Sequence, residues 1–243
     1  MNQIQNITTA QPYLTILPEN DQVFAASDMF LAKYMLPLFS VDLSYINPEW
    51  QGKIHLLNPT EPCDGSIGMY TEAFHNEFAN ENWFILQLDE NNHYQWLADK
   101  HYFILEDENH PEYYENLNYS QAMLADHEQL KQDFKKNNVV ISRMNAGYPD
   151  AEPSVLVNFL GGDAYYGNWC YPIEEHLQLE EFEIFNPEED YNEAYKKIFD
   201  QNGLRYYFIA SATGYEYSKH GADDILMFYQ PETKRVLFTF DWT

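Results

Sequence analysis

The sign of the charge constrains this chain before any hydrophobic pattern does. Thirty-nine acidic side chains stand against thirteen basic ones, giving a formal net charge of −26 and a pI near 4.4. Self-repulsion on that scale works against a compact state, and it keeps the chain soluble and away from nucleic acid and anionic membrane. A fold must therefore bury a substantial apolar core. The material is there: 45% of the 243 residues are hydrophobic, among them 20 Tyr, 16 Phe and 5 Trp. These rings serve either as core packing or as interface anchors, since Tyr and Trp are over-represented at both. Direct nucleic-acid binding needs Lys and Arg to displace condensed counterions, and the chain holds only three Arg. The same poverty argues against enzymes that clamp phosphorylated or carboxylated metabolites.

Compartment follows from what is sparse. Cys63 and Cys170 are the only cysteines, too few for a secreted disulfide scaffold, so reduced thiols are expected. The first residues lack the basic and apolar regions of a signal peptide, and no apolar run reaches the length of a membrane span. The expectation is a cytoplasmic protein that does not engage a membrane.

The pattern along the chain predicts an α+β fold with antiparallel sheet predominating. Short helices are expected at Met29–Leu36, ahead of Pro37, and at Thr71–Phe78. Trp83–Leu88, His93–Leu97 and Tyr102–Leu105 read as a β-meander with a turn at Asp89–Asn92. An acidic loop, Glu106–Asn118, precedes a helix whose apolar face is Met123, His127, Leu130 and Phe134. Val139–Ile141 resumes extended structure. Ser154–Leu160 is a strand running into a tight turn at Gly161-Gly162. A further helix is expected after Asn186, with Pro187 at its first position, acids in its first turn, Tyr191, Ala194, Tyr195, Ile198 and Phe199 inward, and Gly203 as its stop. Leu204–Ala210, Asp224–Tyr229 and Arg235–Trp242 close the chain as strands. Each half thus holds a meander and a helix: one α+β domain, 1–243, with pseudo-halves 1–142 and 143–243.

A search for chemistry returns little. His93, His101 and Asp99 lie near one another but lack the i, i+4 spacing of a helical zinc motif. His110 sits in an acidic segment without the glycine and regular acids of a calcium loop. No nucleophile elbow occurs, and Cys170 has no cation nearby to activate it. Gly161-Gly162-Asp163 lacks the lysine of a phosphate loop. The expectation is no catalytic residue, no metal and no cofactor.

What remains is the placing of the acid. From Met144 to Tyr195 there is no Lys or Arg but there are twelve Asp and Glu, nine of them between Glu174 and Glu193. A second base-free stretch runs from Ile54 to Asp99. Leu177–Phe185 alternates imperfectly, placing Glu181 and Glu183 on one face of a strand with Phe182 and Ile184 inward. Charge runs are usually solvated surface. The functional reading is a partner-binding patch of Glu174, Glu175, Glu180, Glu181, Glu183, Glu188, Glu189 and Asp190, flanked by Tyr165, Tyr166 and Trp169. Such a patch steers a basic protein while aromatic anchors hold it.

In overall character the chain resembles bacterial immunity proteins that neutralise contact-dependent or type VI secreted toxins. Separately, Ile85–Asp89, Leu160-Gly161-Gly162 and Gly203–Ile209 are similar to short signatures of the YwqG-like family, which implies a mixed α+β protein associated in some members with toxin loci. Neither resemblance carries a functional residue across. The leading expectation is an immunity-type inhibitor of a basic toxin. The alternatives are an enzyme with a site assembled from distant residues, acting on carbohydrate, and a nucleic-acid mimic that occupies the basic groove of a DNA-binding protein.

Overall fold

Successive residues of a strand face opposite sides, so a strand that carries large apolar residues on both faces must be covered on both. Among the described residues three neighbouring strands impose that demand, and the architecture is built around them. The computed structural model describes residues 3–142, 151–186 and 190–242. Its strands are β1 (Ile4–Ile7), β2 (Leu14–Ile16), β3 (Met35–Asp42), β4 (Lys53–Pro59), β5 (Ala79–Asn80), β6 (Trp83–Leu88) and β7 (Tyr94–Trp96). They continue with β8 (Val157–Leu160), β9 (Ala164–Tyr165), β10 (Gln178–Asn186), β11 (Tyr191–Phe199), β12 (Arg205–Ala212), β13 (Asp224–Gln230) and β14 (Arg235–Asp241). The helices are α1 (Leu43–Ile46), α2 (Tyr113–Asn137) and α3 (Cys170–Glu174).

The demanding strands are β6, β13 and β14, which lie side by side at the middle of an antiparallel sheet ordered β1-β8-β12-β13-β14-β6-β5. On one face Phe84, Leu86, Met227 and Phe238 join the main core, which includes Leu36, Phe39 and Leu56 of the small sheet β2-β3-β4. On the other, Trp83, Ile85, Leu226, Phe228 and Leu237 pack with Trp169, Cys170, Ile173 and Leu177, from α3 and its flanks. Both faces are closed, as the sequence requires. Strands from either side of residue 142 share this sheet, with β1 on β8 and β6 on β14.

The α+β class with predominantly antiparallel sheet is what the sequence predicts, and several local expectations change. Residues 26–33 form 3₁₀ turns, and β3 then begins at Met35; Pro37 lies inside β3, at an irregularity in its register with β4. Only Glu72–Phe74 is helical in the second segment expected to be a helix. The third meander strand is replaced by 3₁₀ turns at Lys100–Tyr102 and Ile104–Glu106, whose backbone N–H groups at Ile104 and Leu105 are bound by the Glu61 carboxylate. Helix α2 starts at Tyr113, within the expected loop, and Val139–Ile141 belongs to no strand. Its C-terminal half is fastened by Glu19, which accepts from Lys131 at 2.6 Å and Lys135 at 2.7 Å.

The largest correction falls at 191–199, a strand rather than a helix. Tyr191, Ala194, Tyr195 and Ile198 fit a helical stripe, but the same residues also pair across a hairpin. Phe182 stacks on Tyr195, and Lys196 and Lys197 reach Glu181 and Glu180. Those cross-strand pairs decide the outcome. Gly203, at φ +77°, closes the following turn, in which the Asp200 carboxylate accepts from the N–H groups of Asn202 and Leu204.

Candidate functional site

Strands β10 and β11 pair residue for residue, from Gln178 opposite Phe199 to Asn186 opposite Tyr191. Only part of this ribbon is tied to the rest of the sheet. Ile198 and Phe199 pair with β12, and Tyr195 and Lys196 pair with β9. Among the described residues β10 pairs with β11 alone, so its other edge is an open row of backbone donors and acceptors.

The predicted acids are distributed over this ribbon and its root. Glu181 meets Lys196 at 2.9 Å and Glu180 lies 3.9 Å from Lys197, on opposite faces. Glu183 accepts from Asn192 at 2.8 Å. Glu174 and Glu175 are exposed at the end of α3, and Asp190 sits in the turn before β11 with φ +56°. Glu188 and Glu189 lie outside the described residues. Glu181 and Glu183 share one exposed face, as expected, and Phe182 is half-buried, but Ile184 is exposed rather than inward.

The three predicted aromatics separate. Tyr166 is exposed, with the Lys196 ammonium 4.8 Å above its ring. Its hydroxyl bonds to that of Tyr171, an interaction that pushes the Tyr166 hydroxyl up to about 12. Tyr165 is half-buried and points inward, its hydroxyl 3.2 Å from Asp224 and 3.0 Å from Asp241. Trp169 is 0% exposed: it packs on Phe228 and donates its indole N–H to the Tyr165 carbonyl at 3.0 Å. It supports the surface from beneath and cannot touch a partner from there. Sequence reasoning missed the exposed apolar residues that do face outward: Ile184, Phe185 at 57% exposure, Tyr171 and Tyr191. The available signal was the apolar pair Ile184-Phe185, adjacent in a strand and therefore unable to turn inward together.

Between the ribbon and the β1–β8–β9 region runs a cleft of about 460 Å³. Phe159, Tyr165, Tyr166, Tyr191 and Tyr195 line it, with Glu193 as its carboxylate. Glu193 accepts from the Tyr195 hydroxyl at 2.6 Å and the Asn186 amide at 2.5 Å, and these bonds hold its pKa below the usual range. The cleft therefore presents a fixed negative charge among aromatic faces, which suits a cationic side chain. His93 faces Asp89 at 3.5 Å and His101 faces Asp99 at 2.8 Å, each as a separate pair. Among the described residues no three His, Cys, Asp or Glu side chains converge as metal ligands, and no helix is long and apolar enough to cross a membrane.

No family model, curated protein or solved structure matches the chain.

Proposed function

We propose that the protein is an acidic binding protein of the immunity type, which captures a basic partner protein, a cognate toxin, along the β10–β11 ribbon. The observation that carries this reading is the open edge of β10. This nine-residue strand, whose outer edge is unpaired among the described residues, bears Glu180, Glu181 and Glu183 and carries exposed Ile184 and Phe185 near its end. An open edge is a template for strand addition, whose backbone bonds give affinity while side chains give selectivity. Like charges along the edge repel a second copy of the same strand, and they favour a cationic one. The aromatic cleft on the β11 side of the same ribbon supplies a separate seat for a Lys or Arg side chain. The mimic of nucleic acid is less well supported: Glu180 and Glu181 project from opposite faces and are each met by a lysine, so they do not form one regular row.

The test is binding of basic proteins, beginning with the product of the neighbouring gene, measured at low and high salt. The triple reversal Glu180→Lys, Glu181→Lys, Glu183→Lys should slow association about tenfold or more at low salt and flatten its salt dependence. An unchanged association rate, or no stoichiometric complex at low salt, would remove the ribbon from consideration.

A further inference from the structure

A second cleft, of about 510 Å³, lies away from the ribbon, among the β4–β5 connection, α2, the β12–β13 connection and the C-terminal end of β14. A recess of about 20 Å³ adjoins it and shares Pro62, Gly65, Tyr119, Gly221 and Trp242 as walls. That is space for one oxygen-sized group.

The recess carries a polar group that the fold does not use. Asn58 is 1% exposed, lines the recess, and its side-chain N–H₂ has no hydrogen-bond partner. Buried donors are almost always paired, so an orphan lining a cavity points to an acceptor supplied from outside. The space before it is kept by glycine: a Cβ at Gly221, φ +153°, would lie 3.4 Å from the Asn58 nitrogen and 2.7 Å from the Gly214 Cα. Glu61 forms another part of the wall. Its two oxygens accept from the Ile104 and Leu105 N–H groups, and burial, opposed by those bonds, pushes the carboxyl up to about 8, so this wall does not present a fixed negative charge near neutrality.

The outer cleft has the opposite character. Tyr119, Tyr215 and Trp242 give it aromatic walls, Asp64 and Glu81 give it negative charge, and neither Lys nor Arg is among its lining residues. Glu112 and Glu115 act in the same direction: together with burial, they and Asp64 raise the Cys63 thiol, so this cysteine is a neutral wall rather than a nucleophile. His220 lies against the Tyr119 ring, centroids 4.8 Å apart.

We propose that this cleft binds an organic cation that carries a carbonyl oxygen. The ammonium or guanidinium group is held by Asp64, Glu81 and the faces of Tyr119 and Trp242, and the oxygen enters the recess to accept from Asn58. A carboxylate-and-aromatic mouth attracts cations, and the buried amide selects those with an acceptor. That chemistry is offered both by a free amino-acid amide and by a basic residue within a protein chain.

Titration calorimetry on the full chain distinguishes the sources, with three probes: argininamide, acetyl-Gly-Arg-Gly-amide, and butylguanidine, which has the cation without the carbonyl. Saturable binding of argininamide supports a free ligand. Binding of the blocked peptide alone supports the same site with a protein-borne ligand. In either case Asp64→Asn with Glu81→Gln should weaken binding about tenfold while leaving the thermal midpoint in place, since neither side chain is in the core. Asn58→Asp, which turns the donor into an acceptor, should abolish the preference for the carbonyl-bearing probe over butylguanidine. No binding by either carbonyl-bearing probe, or affinities indifferent to the Asp64 and Glu81 substitutions, would overturn the proposal. Equal wild-type affinity for butylguanidine would overturn the role of Asn58.

Discussion

At the scale of single residues the least conventional feature is a pair of acids facing each other in the sheet. Asp224 and Asp241 stand directly opposite on β13 and β14, 6% and 8% exposed, with the Tyr165 hydroxyl between them. Burial pushes the Asp224 carboxyl up to about 7, and the neighbouring Asp241 adds to the effect, against hydrogen bonds from Tyr165 and Asn158 that lower it. Because the folded protein holds this proton more tightly than the unfolded chain, the associated stability is fully present below about pH 4 and is lost as pH rises through 7. Asp224→Asn keeps the shape without the charge. It should raise stability at pH 8.5 by on the order of 3–4 kcal/mol and by well under half of that at pH 5, as measured by denaturant unfolding at the two pH values. A gain at pH 5 as large as that at pH 8.5 would refute the assignment. Trp169 yields a second prediction. As a core residue, its truncation to Ala should cost about 3–5 kcal/mol, whereas Tyr171→Ala should stay within about 0.5 kcal/mol, in the same unfolding assay. None of this was legible in the sequence. The Asp224–Asp241 contact depends on register across a hairpin, and Trp169 differs from Tyr166 only in which side of the chain faces the sheet.

At the scale of elements the β10–β11 ribbon shows why part of the site could be read and part could not. The alternation at 177–185 identifies a strand and puts Glu181 and Glu183 outside. The partner strand is hidden because Tyr191, Ala194, Tyr195 and Ile198 satisfy a 3.6-residue period, while Glu193 and Lys197 interrupt the alternation that Tyr191, Tyr195 and Phe199 would otherwise show. Only contacts with residues on β10 decide between the two patterns. Central strands with both faces buried, such as β6, β13 and β14, are legible for the reverse reason: long apolar runs bounded by turn residues admit few other solutions. The free end of the ribbon carries exposed Ile184 and Phe185, whose burial contributes little to the fold. Ile184→Ser with Phe185→Ser should therefore leave unfolding free energy within about 0.5 kcal/mol of the parent. The same double substitution should accelerate dissociation of the basic partner about tenfold, because apolar anchors act mainly on residence time. A stability loss of several kcal/mol, with partner dissociation unchanged, would mean the tip is structural.

At the scale of the whole molecule, −26 charges on 243 residues act through two opposite electrostatic effects that salt separates. Repulsion within the folded protein is opposed by few cations. Lys131, Lys135, Lys196, Lys197 and Arg205 are already engaged with Glu19, Glu181, Glu180 and Asp163. Screening should thus relieve more repulsion than it removes attraction, since the Debye length falls from about 10 Å at 0.1 M to about 3 Å at 1 M. Thermal unfolding followed from 0.05 to 1 M NaCl should show the midpoint rising by a few degrees, whereas a fold dominated by surface ion pairs would show it falling. Over the same range, association with a basic partner should slow by at least about tenfold, because steering is lost as the field contracts. The opposite signs matter more than either magnitude. If salt stabilised the protein and left association unaffected, the acid would serve the solubility of the surface alone, and the ribbon would bind, if at all, through its backbone edge and apolar tip.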